Sequence, residues 1–441
     1  MNYLPHTPED ILQALQAIGV SSPEDLFDTV PSVLRDHSFD LPEGMDETSL
    51  LGHLEELAAK NKSGGPNFLG GGVRRHFIPS VTPHLAFQSE FVTSYTPYQP
   101  EVSQGILQAT FEFQTMMSEL TGLPISNASM YDGATAVAEA ALLALRHTRR
   151  SNVIVSEGVH PEAREVLRTY VQPLGATIRT LKLAELTTPT PVVDDSVACV
   201  IAQHPNFLGY LEAMPELCSE AHAAGALFIA VVDPLSLALL KTPGSYGADI
   251  AVGDGQVLGN PPNLGGPSFG FMVVDTPLLR QLPGRLVGQT TDVEGQRAFV
   301  LTLQAREQHI RRSKAKSNIC SNHQLAALMA TVNMAALGPI GLTDLASGSV
   351  RNAHKLAEAL ADTGIDVLSG RPFFNEFVVK TSGTAGEFRK AMLRHGIQAG
   401  VPVPESYGLG NAVTLTATEL TTAADIEALV DAVKELEVER D

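Results

Sequence analysis

Cysteine is scarce: Cys199, Cys218 and Cys320 are the only three in 441 residues. An odd, small number in a long chain excludes a disulfide framework, fits a reducing compartment and suits thiols buried as core residues. Basic charge is short as well. Thirty Lys+Arg against 49 Asp+Glu leave a formal charge of −19, which repels phosphate backbones and anionic lipid, so neither nucleic acid nor a membrane surface is expected as a partner. Long hydrophobic runs are missing: the longest, 223–232, is half of the roughly 20 residues a membrane span needs, and Asp233 with Pro234 ends it. The start, MNYLPHTPEDIL, has no basic stretch leading into an apolar one, so no secretory signal is read and a cytoplasmic protein is expected. What the chain does have is 44% hydrophobic residues, enough for a large core divided among two or three packed units.

The first 90 residues are broken by Pro and Gly, with amphipathic stretches at 8–18 and 49–60 and glycines at 64–65 and 70–72, and they read as an N-terminal arm. From 103 to 120 the positions Ile106, Thr110, Phe113, Met117 and Leu120 recur at helical spacing, and Gly122 supplies a stop. Helical patterns at 133–147, 161–172 and 212–224 then alternate with apolar runs at 153–156, 197–202, 226–232 and 250–252. Such alternation predicts βαβ units and a large α/β domain, 91–337, built on a mostly parallel sheet covered on both faces. Residues 297–312 and 321–336 read as two further helices. From 338 to 441, helices at 348–363, 386–394 and 422–437 and strands at 365–369, 376–381 and 412–417 predict a small C-terminal α+β domain.

Several motifs carry less than their spelling suggests. Residues 266–270 match G-x-S-x-G, but a Pro/Gly loop precedes Ser268 and a strand-like run follows, the reverse of a nucleophile elbow. Thirteen histidines include no H-E-x-x-H, and paired cysteines are absent, which disfavours a metal site. Gly253, Gly255 and Gly259 are one residue off the dinucleotide fingerprint and lead into prolines 261 and 262 rather than a helix.

Asp233 is more informative, because it ends a buried strand at the edge where open α/β sheets place ligands. In pyridoxal-phosphate enzymes of this architecture such an Asp pairs with the pyridine nitrogen, and a Schiff-base Lys follows roughly 20 to 30 residues on. At that distance stands Gln256, which cannot form an imine, whereas Lys241 lies early and in a turn. Thr135 opens a helix after Asp132, where either a phosphate or plain N-capping fits. His160, at a strand-to-helix junction, could stack on a planar ring or merely lead into the helix. The loop YTPYQPE (95–101) sets Tyr95, Tyr98, Gln99 and Glu101 on a Pro-stiffened stretch before a long helix, suited to function or to packing.

With these strings the chain resembles the alpha subunits (subunit 1) of the two-subunit glycine decarboxylases, the P-protein of the glycine cleavage system. The resemblance runs through YLPHT (3–7), YTPYQPE (95–101), YDGAT (131–135), QHPNF (203–207), GGP (265–267), PGRLVG (283–288), REQHIRR (306–312) and SNIC (317–320), essentially the whole chain. It implies a fold-type-I pyridoxal-phosphate transferase-like architecture. It also implies glycine dehydrogenase (aminomethyl-transferring, decarboxylating) activity, in which glycine loses carbon dioxide on pyridoxal phosphate and the aminomethyl group passes to the lipoyl group of the H-protein. In that family the Schiff-base lysine belongs to the beta subunit of an alpha2beta2 assembly, so Gln256 is expected here, no cofactor-binding residue is expected in this chain, and His160, Asp233 and Thr135 become relics. The resemblance points to Tyr95, Tyr98, Gln99 and Glu101 as residues reaching a site shared with beta, and to Arg74 and His76 as contacts for the glycine carboxylate or the interface. The competing expectation is a non-catalytic scaffold that stabilises beta.

Overall fold

The alternation read from the sequence folds as a seven-stranded sheet in the computed structural model, which describes residues 6–35, 40–61, 64–263 and 266–438. Parts of YLPHT and GGP, residues 3–5 and Gly265, lie outside the described residues. The chain divides into two compact units, Met1–Ser63 and Gly64–Asp441. Residues 64–90, read from sequence as part of the arm, lie in the larger unit.

In the smaller unit, helix α1 (Pro8–Ile18) is started by a capping box between Thr7 and Asp10 and stopped by Gly19 in the left-handed region. Helix α2 (Glu47–Ala59) is capped by Asp46 and buries no residue.

The larger unit carries helix α3 (Gln104–Thr121), strand β1 (Ile125–Ser126), helix α4 (Gly133–Thr148), β2 (Asn152–Ser156), α5 (Pro161–Val171), β3 (Thr177–Leu181), β4 (Val197–His204), α6 (Met214–Ala223), β5 (Leu227–Val232), β6 (Ile250–Asp254) and β7 (Gly270–Val274). The sheet order is β1-β7-β6-β5-β4-β2-β3; the strands from β6 to β3 are parallel, and β7 runs antiparallel to both its neighbours. Helices cover both faces: Phe113, Met117 and Leu217 pack on one side, Ala140, Leu143 and Leu167 on the other. Cys199 and Cys218 are buried as expected, and desolvation raises both thiols. Cys320 is exposed instead, on a loop.

Two expected helices are corrected. Residues 297–312 do not form one: β9 (Arg297–Leu301) pairs antiparallel with β8 (Val287–Thr291), followed by a single turn, Gln308–Arg311. The alternation of buried Phe299 and Leu301 with more exposed neighbours decides this, and the Gln104 amide pins the strand by bonding both backbone groups of Phe299 at 2.9 Å. The helices expected at 321–336 and 348–363 are one element, α7 (Gln324–Ala361), kinked where Gly338 leaves helical geometry before Pro339. By length and composition α7 could cross a membrane, yet its first half buries Ala327, Leu328, Ala330 and Met334 in the fold.

A second sheet orders β10 (Asp366–Val367), β11 (Glu376–Lys380), β13 (Ala412–Thr416) and β12 (Val401–Pro402), with helices α8 (Ala385–Arg394) and α9 (Ala423–Val438). The strand Asn67–Phe68 joins this part of the fold through parallel pairing with Gln398–Ala399. The segment leaving it, 69–77, is thereby fed between the two sheets.

Candidate functional site

Gly70 and Gly71 let the 69–77 segment pass close to the small sheet. A Cβ on Gly70 would run into Glu376 Oε1, while Gly71 has φ +74 and donates its N–H to that same oxygen at 2.7 Å. Beyond them Arg74 turns inward. Its Nη1 donates to Asp233 Oδ2 and its Nη2 to Glu376 Oε2, both at 2.7 Å, with the arginine and Asp233 side chains 11% exposed and Glu376 2%. Burial works against a buried cation, but Glu376 and Asp233 outweigh it and hold the guanidinium protonated.

Gln256 closes the same knot: its Oε1 accepts the Arg74 backbone N–H at 3.0 Å, and its Nε2 donates to the Arg74 carbonyl at 2.9 Å and to the Asn260 carbonyl at 2.6 Å. Two residues on, His76 Nδ1 meets Glu419 Oε2 at 2.8 Å. Arg74 and His76, expected at a substrate carboxylate or an interface, are therefore spent on carboxylates of their own chain, because the segment that carries them is drawn between the sheets.

The other positions expected as relics, Asp233, His160 and Thr135, surround this knot. Asp233 also accepts the Leu235 N–H at 2.9 Å, which holds the carboxylate toward Arg74. His160 Nε2 lies 2.9 Å from the Gly71 carbonyl, its backbone N–H is held by Gln203 at 2.9 Å, and Phe207 packs edge-on at 5.0 Å. At the start of α4, Asp132 and Thr135 form a capping box, with Thr135 N–H on Asp132 Oδ1 at 2.7 Å. The neighbouring Gly133 N–H donates to Asp254 Oδ2 at 3.1 Å, and Asp254 Oδ1 accepts from Ser268 Oγ at 2.5 Å and from the Gln256 N–H at 3.0 Å. Burial pushes the Asp254 carboxyl up, opposed by those three donors. Ser268 thus serves this carboxylate, and Lys241 stays exposed in its turn.

The 95–101 loop behaves differently. Tyr95, Tyr98, Gln99 and Glu101 are all exposed, Tyr95 at 83%. Tyr98 alone is steadied, its ring 5.5 Å from that of His309 and 5.7 Å from the Arg285 guanidinium carbon. Arg285 itself is buried and donates to the Cys320 carbonyl at 2.8 Å, while Cys320 N–H donates to Tyr131 Oη at 3.0 Å. The strings YTPYQPE, YDGAT, PGRLVG, REQHIRR and SNIC, dispersed over 95–320, thus meet in one cluster. Site reasoning on the sequence missed Arg285, His309 and Tyr131; their membership of those strings was the available signal. A separate cleft of about 730 Å³ lies between the 78–87 segment and the start of α7, lined by Phe87, Asn260 and His323 among others, and by none of the loop residues. Among the described residues no group of three or more His, Cys, Asp or Glu is placed to hold a metal.

Comparison with known proteins gives this geometry a context. A family model described as glycine cleavage system P-protein matches residues 1–433. The chain is 48% identical over 444 residues to the probable glycine dehydrogenase (decarboxylating) subunit 1 of Geotalea uraniireducens, covering 99% of each. To the protein of the same description from Moorella thermoacetica it is 49% identical over 441 residues, covering 98% of this chain and 99% of that one. A solved structure of glycine decarboxylase (P-protein) of the glycine cleavage system, in inhibitor-bound form, matches with a TM-score of 0.94 at 54% identity, covering 99% of this chain and 100% of that one. More remote structures share the fold alone, among them a C-DES mutant with glycine covalently linked to its pyridoxal phosphate, at a TM-score of 0.61 and 12% identity over 89% of this chain and all of that one. The architecture is that of fold-type-I pyridoxal-phosphate enzymes. The residues of this chain do not fit that cofactor: Gln256 offers no amine, Asp233 is already paired with Arg74, and the Asp254 carboxyl already occupies the helix start that would receive a phosphate.

Proposed function

Since the chain belongs to the glycine cleavage system P-protein family, we propose that it works as one half of a glycine decarboxylase whose pyridoxal phosphate is carried by a second subunit. The word "subunit 1" in its full-length relatives' names implies such a partner. The observation that carries the reading is the pairing of an occupied ancestral pocket around Arg74 with an exposed, chemically rich loop at 95–101. The bound cofactor supplies an electron sink for loss of carbon dioxide from glycine, and the aminomethyl group goes to the lipoyl group of the H-protein.

This chain's part is to complete the site from across an alpha2beta2 interface in the cytoplasm. Tyr95 and Tyr98 present phenol groups, and Gln99 and Glu101 add an amide and a carboxylate that can orient the substrate or hold a proton beside it. Arg285 and His309, flanking the Tyr98 ring, fix its direction.

The test is alanine at both Tyr95 and Tyr98 in the assembled enzyme. The expected result is a fall in kcat/KM for glycine of at least about tenfold, the size of one lost hydrogen bond to a charged group, with assembly by sedimentation unchanged. Unchanged kcat/KM with intact assembly would leave the chain as a scaffold that stabilises its partner.

A further inference from the structure

Four features hold pyridoxal phosphate in a fold-type-I enzyme: a strand-end Asp on the pyridine nitrogen, a Lys amine on the aldehyde carbon, a helix N-terminus on the phosphate and a side chain against the ring. In this chain each position is met by a protein group instead. Asp233 faces a guanidinium, Arg74 Nη1, at 2.7 Å. Gln256 is bonded through both ends of its amide to the Arg74 backbone. The start of α4 receives the Asp254 carboxylate at Gly133 N–H. His160 caps the Gly71 carbonyl.

We propose that residues 70–74 together with Asp254 are an internal replacement for the cofactor, a guanidinium standing for the pyridinium and a carboxylate for the phosphate, which keeps pyridoxal phosphate out of this chain. This goes beyond the reading above, which assigns the cofactor to the partner without saying what excludes it here. A pocket that had only lost its lysine would be open; this one is filled by a segment whose glycines are required for the approach and whose arginine is neutralised from both sheets. Charge matching explains the choice of groups. Asp233 and Glu376, nearly buried, need a cation in the absence of a cofactor nitrogen, and the amides of a helix start that lack an intrahelical acceptor take a carboxylate as they take a phosphate.

The inference is tested by asking what it takes to reopen the site. Full-length chain in the unmodified form, as Gln256→Lys, and as Arg74→Ala/Gln256→Lys is incubated with excess pyridoxal phosphate. An imine formed by condensation of an amine with the aldehyde, water leaving, is then fixed by borohydride, which delivers hydride to the imine carbon. Peptide mass spectrometry reports the adduct at position 256. The unmodified chain and Gln256→Lys are expected to remain unlabelled there, while the double variant develops the visible imine absorbance and the adduct.

Adding Asp254→Ser to the double variant is expected to raise affinity for pyridoxal phosphate at least about tenfold, the equivalent of about 1.4 kcal/mol, and to leave affinity for phosphate-free pyridoxal unchanged. Labelling of Gln256→Lys as complete as that of the double variant would overturn the proposal, as would a double variant with native circular dichroism that stays unlabelled. Because Gln256→Lys retains the Arg74 side chain, stoichiometric labelling at position 256 in that single variant overturns the proposal whether or not the double variant folds. An adduct on Lys241 of the unmodified chain would instead contradict the assignment of the cofactor to the partner, so the two failures are distinguishable.

Discussion

A single side chain, Arg74, neutralises the two carboxylates that meet between the sheets, Asp233 and Glu376. Replacing it by alanine strands Asp233 and Glu376 in surroundings that exclude water, and a loss of about 3–5 kcal/mol in urea unfolding is expected, the usual cost of breaking a nearly buried ion pair from one side. Unfolding free energies within about 1 kcal/mol of the parent would show that the carboxylates relax to solvent. His204 gives a pH-dependent counterpart. It is buried, with Nδ1 accepting the Glu212 N–H at 3.0 Å, and desolvation lowers its pKa from 6.5 to about 4. The unfolded chain therefore takes up this proton first as pH falls, so its contribution is full above pH 6.5 and declines toward pH 4, by about 3 kcal/mol in all. Glu212, raised by its own burial, acts in the opposite sense, so the comparison is with His204→Asn, which is expected to flatten the loss of stability between those pH values. At this scale Asp233 and Gln256 were legible, because a strand end and a sequence interval locate them. The partners of Arg74 were not: Glu376 lies 302 positions away, and nothing local in either stretch announces the pair.

At the scale of elements, strands β2, β4, β5, β6 and β7 and helices α3 to α6 follow from apolar periodicity and stop residues, as α3 with Gly122 illustrates, whereas the edge strands β1 and β3 were not read. The hairpin β8–β9 does not, since the charged residues at 306–316 imitate a helical face and the deciding contact comes from Gln104 on another element. The triple glycine at 70–72 suits tight turns and close backbone approach, and its tightest constraint is the approach to Glu376. Gly70→Ala puts a Cβ onto that carboxylate and is expected to lower stability by more than about 1 kcal/mol, read from a chemical denaturation midpoint at unchanged slope. A neutral substitution would mean that the segment shifts freely. The 95–101 loop was recognisable as rich in hydrogen-bonding groups, yet only the fold brings Tyr98 to Arg285 and His309.

At the scale of the whole molecule, large apolar side chains are left exposed. In the Met1–Ser63 unit Leu12, Phe27, Leu51 and Leu54 are all more than half exposed, and helices of 11 and 13 residues have little stability without packing. The proposed assembly offers a cover for these residues in its second subunit. Leu51→Glu with Leu54→Glu is expected to weaken association at least about tenfold in sedimentation, as charges forced into an apolar contact do.

The role proposed for this chain is to complete a site whose cofactor a second subunit holds. Glycine-dependent exchange of carbon dioxide, with lipoyl H-protein present, measured on this chain, on the second subunit and on their mixture while recording the cofactor's visible absorbance, tests that directly. Activity in the mixture alone, with the absorbance arising from the second subunit, is the predicted result. Absorbance and exchange from this chain by itself would contradict it.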